Sequence, residues 1–267
     1  MRVITCDEGK KIELDILLDV AKFCDENNLQ YFLAYGTLLG AIRHKGFIPW
    51  DDDVDINMPR DDYNFLMENY NQARQGTPYR LIAPIDKNSR HSIVKVIDTR
   101  TVKKEFDVKD DAEPLGIDID IFPLDGEPSS KEEFDAWYDE LQTVYKWYRY
   151  SIISTKGSLK RKLGIPVVKL VFGGKKRLLK KAAKLHGKYP YKDSKYVGAI
   201  ECAYNSRGNR FNKEWFENTV ELEFEGHMLK CPCGYHNILS QVYGDYMQLP
   251  PLDKQVTHHT NEMYWKE

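Results

Sequence analysis

A run of acidic residues interleaved with apolar ones constrains this chain more than any other feature. The segment 50–57, WDDDVDIN, contains four aspartates within five residues. Side chains alternate between the two faces of a β-strand, so on a strand Asp53 and Asp55 would project together. Val54 and Ile56 would then point into the core. Carboxylates this close repel one another, so the pattern favours a bound cation.

A second acidic pair repeats this alternation further along the chain. In the segment 117–121, IDIDI, Asp118 and Asp120 alternate with isoleucines. Two strands that each present carboxylates on one face predict a site for a hard divalent cation, which prefers oxygen ligands. Magnesium held in this way usually also contacts substrate phosphates. The two segments together indicate a metal-dependent enzyme of phosphoryl or nucleotidyl transfer.

Two other interpretations of the acidic run were weighed. Aspartates at a protein surface also cap helices or form solvated turns, although the second pair makes coincidence a weaker explanation. Asp51, Asp53 and Asp55 match the first, third and fifth positions of a calcium-binding loop. That loop requires Gly at its sixth position and Glu at its twelfth, where this chain has Ile56 and Asp62. The calcium loop is excluded.

Composition predicts a cytoplasmic globular protein. The 267 residues are 42% hydrophobic and 12% aromatic, which is enough for a sizeable core, and no apolar stretch is long enough to predict a transmembrane helix. The first residues lack the long apolar segment of a secretory signal. Five cysteines without a regular framework predict reduced thiols. Cys231 and Cys233 could chelate zinc with Cys202 and a histidine, but their spacing is not a recognised zinc pattern.

Positive charge is concentrated in one segment. Residues 156–192 contain thirteen of the 39 Lys and Arg residues and no Asp or Glu, although the whole chain has a net charge of only −2. Apolar residues are interleaved with these charges, which is typical of a segment that lies on an anionic membrane surface or binds a polyanion. A solvated basic helical face is the alternative. Nucleic acid is not predicted as a partner, because no stacking motif accompanies the charge.

Hydrophobic spacing predicts a mixed α/β chain around the acidic segments. A helix over 8–28, a strand over 31–35 and a helix over 38–44 would place Gly36 and Thr37 in a turn that presents backbone N–H groups to an anion. The other predicted features are a helix over 60–70, a hairpin of strands 91–97 and 101–106, a turn at 123–126, and a long helix capped by Ser130. We expect one domain, 1–267, with a basic helical insertion at about 151–195.

An aromatic stripe marks the long helix. The residues that recur at three- and four-residue spacing are Phe134, Trp137, Tyr138, Leu141, Val144, Tyr145 and Tyr148. Core packing is the commoner role of such a stripe. The alternative is a cage that binds a quaternary ammonium group through cation–π attraction.

Three motifs stand out when the chain is taken as a whole. They are YGTLLGAIRHKGFIPWDDDVDI at 35–56, IDIFPLD at 119–125, and YGDY at 243–246, which is followed by paired prolines. These motifs, the first most of all, resemble the LicD family, which includes bacterial phosphorylcholine transferases and is related to the fukutin-related ribitol-phosphate transferases. The resemblance spans about residues 25–260 and implies a nucleotidyltransferase-type fold, α+β, with a mixed sheet flanked by helices.

The resemblance also implies which residues form the site. Gly36 and Thr37 correspond to its Gly-Thr element, Asp53 and Asp55 to its Asp-x-Asp pair, and Asp120 to its third acidic position. These three aspartates would hold Mg²⁺ or Mn²⁺, and Asp120 would also accept the acceptor's proton. The family pattern does not require Asp118. By their chemistry, Arg43 and Lys95 are candidates for binding phosphate oxygens.

The resemblance implies a CDP-alcohol donor, most of all CDP-choline. The acceptor would be a sugar hydroxyl of a glycan, such as a teichoic acid, capsule or lipopolysaccharide precursor, and CMP would leave. If that glycan is lipid-linked, the basic segment would hold the enzyme peripherally at the inner face of the cell membrane. The alternatives are a CDP-glycerol or CDP-ribitol donor, a nucleotidyltransferase that releases pyrophosphate, and a non-catalytic binding protein.

Overall fold

The computed structural model describes residues 1–86, 89, 91–105, 115–152, 166, 170–171, 173–200, 207, 209–257 and 261–266. The helices are α1 Cys6–Glu26, α2 Tyr35–His44, α3 Arg60–Ala73, α4 Lys131–Ile152, α5 Lys175–His186 and α6 Tyr235–Tyr243. The strands are β1 Arg2–Val3, β2 Phe32–Leu33, β3 Asp55–Pro59, β4 Tyr79–Ile82, β5 Val94–Asp98, β6 Thr101–Glu105, β7 Asp118–Glu127, β8 Tyr196–Gly198, β9 Phe211–Asn212, β10 Thr219–Phe224, β11 His227–Pro232 and β12 Asn261–Trp265.

A mixed sheet forms the centre of the fold. Its strand order is β2-β3-β7-β5-β4, and β8 pairs with the far end of β7 and with β9. Strands β3 and β7 are parallel, whereas β2, β5 and β8 join this pair in antiparallel orientation. Strands β10 and β11 form a hairpin, and β12 lies between β1 and β6. The predicted α/β fold with a mixed sheet is confirmed.

The main core lies between this sheet and helices α1 and α3. Ile16, Leu17 and Val20 of α1 and Leu66 of α3 are fully buried. Each such side chain contributes about 1.5–3 kcal/mol through burial. Helix α1 begins two residues before its predicted start, because the Thr5 hydroxyl and the Glu8 carboxylate form a capping box. This packing makes the sheet a rigid support for the acidic segments.

Two predictions about strands are wrong. The strands over 94–98 and 101–105 do not form a hairpin, since β5 pairs with β4 and β7 while β6 pairs with β12. The segment 123–126 is not a turn but part of β7, which runs on to Glu127. Pro123 is tolerated there because it falls between the stretches of β7 that pair with β5 and with β8. Its missing N–H therefore removes no bond from either ladder.

The aromatic stripe of α4 is core. All seven residues are buried and pack with Leu178, Ala182 and Leu185 of α5. The Ser130 hydroxyl accepts a hydrogen bond of 3.1 Å from the N–H of Glu133, as the capping prediction requires. Buried rings cannot enclose a ligand, so the structure does not support the interpretation of this stripe as an ammonium cage.

The basic insertion is described only in part. Most of its first half, 153–165, 167–169 and 172, lies outside the described residues, as does Cys202, so the single-domain division stays a prediction. The described second half contains α5. No described helix is both long and apolar enough to span a membrane. The described cysteines, Cys6, Cys24, Cys231 and Cys233, are free thiols.

Candidate active site

Three side chains stand in one row across the sheet. In the parallel pairing of β3 with β7, Asp55 is opposite Asp120. In the antiparallel pairing of β5 with β7, Lys95 is opposite the same Asp120. Neighbouring strands lie about 4.8 Å apart, so the register brings these charged groups together. Asp55 and Asp120 are partly exposed, which leaves them open to a ligand.

The loop before β3 carries the other acids. Strand β3 begins at Asp55, so Asp53 lies in this loop rather than on the predicted strand. The Lys10 ammonium of α1 donates to the carbonyl oxygens of Ile48 and Pro49, each at 3.3 Å, and a turn joins Asp51 N–H to the Ile48 carbonyl at 2.9 Å. Lys10 therefore anchors the start of the acidic loop, a role that nothing in its local sequence indicated.

Gly36 and Thr37 each help to position one of the aspartates. Helix α2 begins at Tyr35, so both residues lie in its first turn and not in the predicted turn before it. The Thr37 hydroxyl accepts a hydrogen bond of 2.9 Å from the N–H of Asp55. A Cβ atom added to Gly36 would lie 2.3 Å from Oδ2 of Asp51. The glycine thus makes room for a carboxylate beside a helix N-terminus, where backbone N–H groups favour anions.

Asp55 is the electrostatic centre of the acids. Burial raises the pKa of its carboxyl group well above the ordinary value, and the negative charges of Asp53, Asp120 and Asp51 raise it further. Lys95 opposes this rise only in part. The carboxylates are therefore crowded without enough positive charge to balance them.

The donor set fits a hard divalent cation in its chemistry. Aspartate oxygens are the ligands that Mg²⁺ prefers, and a cation would relieve the repulsion around Asp55. In the described part of the chain, however, no three His, Cys, Asp or Glu side chains are already gathered as a metal-binding group. Asp53, Asp55 and Asp120 would be the ligands after their side chains reorient.

The ammonium group of Lys95 is paired with carboxylate groups. Its ammonium group hydrogen-bonds Asp118 and lies 2.5 Å from Oδ1 of Asp120. Burial opposes the charged form of Lys95, yet Asp118 and Asp120 raise its pKa well above the ordinary value. Lys95 is thus paired with carboxylates in this structure, and its predicted contact with phosphate stays a prediction.

Two residues that the sequence analysis missed, Lys103 and Glu13, complete this charge network. Lys103 of β6 lies 3.2 Å from Asp118 and 4.0 Å from the Glu13 carboxylate of α1. Although burial opposes it, the charges of Lys103 and Lys95 hold the pKa of Asp118 well below its usual range. A signal for Glu13 was present, because it follows Ile12 on the buried face of α1. A carboxylate in that position needs a partner.

Arg43 lies apart from the acids. It occupies the last turn of α2, about 10 Å along the helix axis from Gly36. Its guanidinium donates to the backbone carbonyl oxygens of Tyr246, at 3.0 Å, and Gln248, at 3.5 Å. In this structure Arg43 therefore holds the C-terminal segment against α2, and its predicted contact with phosphate stays a prediction.

A mixed sheet that presents carboxylates on adjacent parallel strands beside a Gly-Thr helix start is the arrangement that the nucleotidyltransferase-type fold leads us to expect. Residues 28–176 match the nucleotidyltransferase domain of LicD/FKTN/FKRP. Over 275 aligned residues, which cover 99% of both proteins, the chain is 32% identical to the lipopolysaccharide cholinephosphotransferase LicD of Haemophilus influenzae. The chain belongs to the LicD family.

Shorter similarities fall on two uncharacterized proteins of Rickettsia. One, from Rickettsia prowazekii, is 40% identical over 60 residues, which is 22% of this chain and 23% of that protein. The other, from Rickettsia typhi, is 43% identical over 56 residues, which is 21% of this chain and 18% of that protein.

Proposed function

We propose that this protein transfers phosphocholine from CDP-choline to a sugar hydroxyl of a lipopolysaccharide or related surface glycan and releases CMP. The observation that carries the proposal is the register of Asp55 beside Asp120, within a chain that matches the Haemophilus cholinephosphotransferase over 99% of its length. The carboxylates supply oxygen ligands for a cation that also binds the diphosphate of the donor.

The reaction breaks a phosphoanhydride bond of the donor and forms a phosphoester bond to the acceptor. The acceptor oxygen forms a bond to the choline-bearing phosphorus, and the bond from that phosphorus to the oxygen of CMP breaks. The hydroxyl proton passes to a base on the protein, and the bonding electrons leave with CMP. Bound Mg²⁺ would neutralise charge on the phosphate oxygens and align the groups, which is the main source of catalysis in phosphoryl transfer.

The residues divide these tasks by position. Asp53, Asp55 and Asp120 hold the cation. Thr37 keeps Asp55 in place through its 2.9 Å hydrogen bond. Asp120 also accepts the hydroxyl proton, a role that its partial exposure beside Asp55 supports. The first-turn N–H groups of α2 face the acidic loop and bind the oxygen atoms of the donor phosphates.

Tyr35 is our candidate among the aromatic residues for contact with choline. It directly precedes Gly36, is partly exposed, and has a φ of 43°, in the left-handed region that a tyrosine seldom adopts. Its ring lies edge-to-face on Phe122 at 5.4 Å, two residues beyond Asp120. Strain of this kind is concentrated at functional sites, and a tyrosine face attracts quaternary ammonium groups.

The basic face of α5 would bring the enzyme to a lipid-linked acceptor. Lys176, Lys180 and Lys184 are exposed and recur every four residues, so they line one side of the helix. Lys175 does not belong to this face, because its ammonium donates to the carbonyl oxygens of Asp86 and Ser89.

The first test is binding of CDP-choline by calorimetry in the presence of Mg²⁺. We expect the wild-type protein and Asp61→Asn, a control at an exposed site on α3, to bind alike, whereas Asp55→Asn abolishes binding. Tyr35→Phe should retain affinity, and Tyr35→Leu should lose about tenfold. Equal binding of CDP-glycerol or CDP-ribitol would refute choline specificity, and release of pyrophosphate instead of CMP during turnover would refute the reaction.

A further inference from the structure

Lys95 is shared between two carboxylates that differ in their surroundings. Its side chain is 8% exposed, that of Asp118 is 3% exposed, and that of Asp120 is 28% exposed. The Lys95 ammonium group therefore bridges a buried carboxylate, that of Asp118, and a partly exposed one, that of Asp120. Since Asp118 and Asp120 are two residues apart on one strand, both project from the same face of β7.

The interior acid is held independently of Lys95. Lys103 approaches Asp118 from β6 at 3.2 Å, and its own side chain is 9% exposed. Behind Lys103, the Glu13 carboxylate is buried. Asp118 is thus a fixed anion, anchored on its inner side, whereas Asp120 is free to face a ligand.

A divalent cation at Asp55 and Asp120 and the Lys95 ammonium would compete for the same carboxylate. Two positive groups on one anion repel each other, and a lysine stem is flexible enough to move its charge by rotation. A second anion, Asp118, already accepts a hydrogen bond from Lys95.

We propose that Lys95 is a positioning residue whose ammonium neutralises Asp120 until a divalent cation binds. When the cation binds, the ammonium pairs with Asp118 alone, so that Asp120 can bind the cation. This inference rests on the metal site of the proposed function. It gives Asp118, which the family pattern does not require, a role in setting cation affinity.

Binding of Mn²⁺ alone tests this role without any turnover. Titrations followed by electron paramagnetic resonance would compare wild type with Asp118→Asn, Lys95→Met and the double variant, and circular dichroism would confirm folding. We expect Asp118→Asn to weaken Mn²⁺ binding about tenfold, because Lys95 then has only Asp120 as a partner. Lys95→Met should tighten binding, because the internal competitor is gone.

The double variant separates this mechanism from a general effect of charge. It removes one cation and one anion, so the buried network keeps its balance and the fold is protected. If Asp118 acts through Lys95, then Asp118→Asn has no further effect once Lys95 is Met. An equal tenfold weakening in both backgrounds would overturn the inference but leave the proposed function intact. A wild-type protein that binds no Mn²⁺ at all would overturn both the inference and the proposed metal site.

Discussion

The Thr37 hydroxyl accepts a hydrogen bond of 2.9 Å from the backbone N–H of Asp55, across eighteen residues of sequence. It joins the first turn of α2 to the first residue of β3. The Asp55 carbonyl in turn accepts a hydrogen bond of 3.0 Å from the N–H of Ala34. Asp55 is therefore held by its backbone on both sides, which leaves its carboxylate as the part that faces a ligand.

Replacing Thr37 with Val should reduce both stability and activity. Thr37 is buried, and Val has the same shape without the oxygen, so the N–H of Asp55 would lose its partner. Such a loss costs about 1–3 kcal/mol in the free energy of unfolding. Urea unfolding and CMP release would measure the two effects, and we expect kcat to fall at least about tenfold. Thr37→Ser keeps the oxygen and should retain most of both. Equal losses in the two variants would show that keeping the hydroxyl oxygen is not sufficient, and would contradict the prediction.

Replacing Gly36 with Ala should impair activity more than stability. The new Cβ would meet the Asp51 carboxylate at 2.3 Å and displace it, but Asp51 is in a partly exposed loop that can move. We expect Tm to change by only a few degrees, while kcat/KM for the CDP-alcohol falls about a hundredfold through misplacement of the acidic loop. Gly174→Ala, at a glycine whose added Cβ meets nothing within 4 Å, is the control. A Gly36→Ala enzyme as active as this control would contradict the prediction.

Reversing the charge of the α5 face should weaken binding to anionic membranes. In Lys176→Glu/Lys180→Glu/Lys184→Glu, three attractive contacts of about 1 kcal/mol each become repulsive. The affinity for vesicles that contain phosphatidylglycerol, measured by co-sedimentation, should therefore fall at least about a hundredfold. Turnover of a soluble acceptor should be unaffected.

The same charge change elsewhere controls for net charge. Lys11→Glu/Lys22→Glu/Lys131→Glu alters three exposed lysines on α1 and α4. If this variant loses vesicle binding to the same degree, the effect is one of total charge, and α5 is not the membrane face.

Glu127 should make stability depend on pH. Its carboxylate is 1% exposed, and among the described residues neither of its oxygens has a hydrogen-bond partner. Burial raises the pKa of Glu127 from 4.5 to about 8 despite the opposing charge of Arg210. The folded state therefore retains a proton that the unfolded state loses above pH 4.5. Stability is fully present below that pH and falls as pH rises towards 8.

Glu127→Gln removes this titration and tests it. Between pH 5 and pH 8 the free energy of unfolding of the wild type should fall relative to the variant by on the order of 2 kcal/mol. Urea unfolding at several pH values would measure the difference. Parallel profiles for the two proteins would mean that Glu127 titrates at its ordinary pH.

The sequence singled out the acids of the candidate site and Lys95, but not Lys103 or the pairing of Lys95 with carboxylates. Asp53, Asp55 and Asp120 were identifiable because each stands next to apolar residues in a short, strongly patterned segment. The pairing of β6 with β12 was not, because about 160 residues separate the two strands. The same is true of Arg43, whose carbonyl partner at Tyr246 is 203 residues away.

By itself, the sequence determined that Asp118 and Asp120 share a strand face, since alternation is a local property of the extended backbone. The same pattern was wrong for Asp53, which lies in the loop before β3. Only the tertiary structure decided that Lys95 stands beside Asp120 and that Lys103 and Glu13 lie behind Asp118. Strand register and helix placement are set by the packing of the whole sheet. A shift of one residue in β5 would turn Lys95 to the opposite face, and no local pattern specifies that choice.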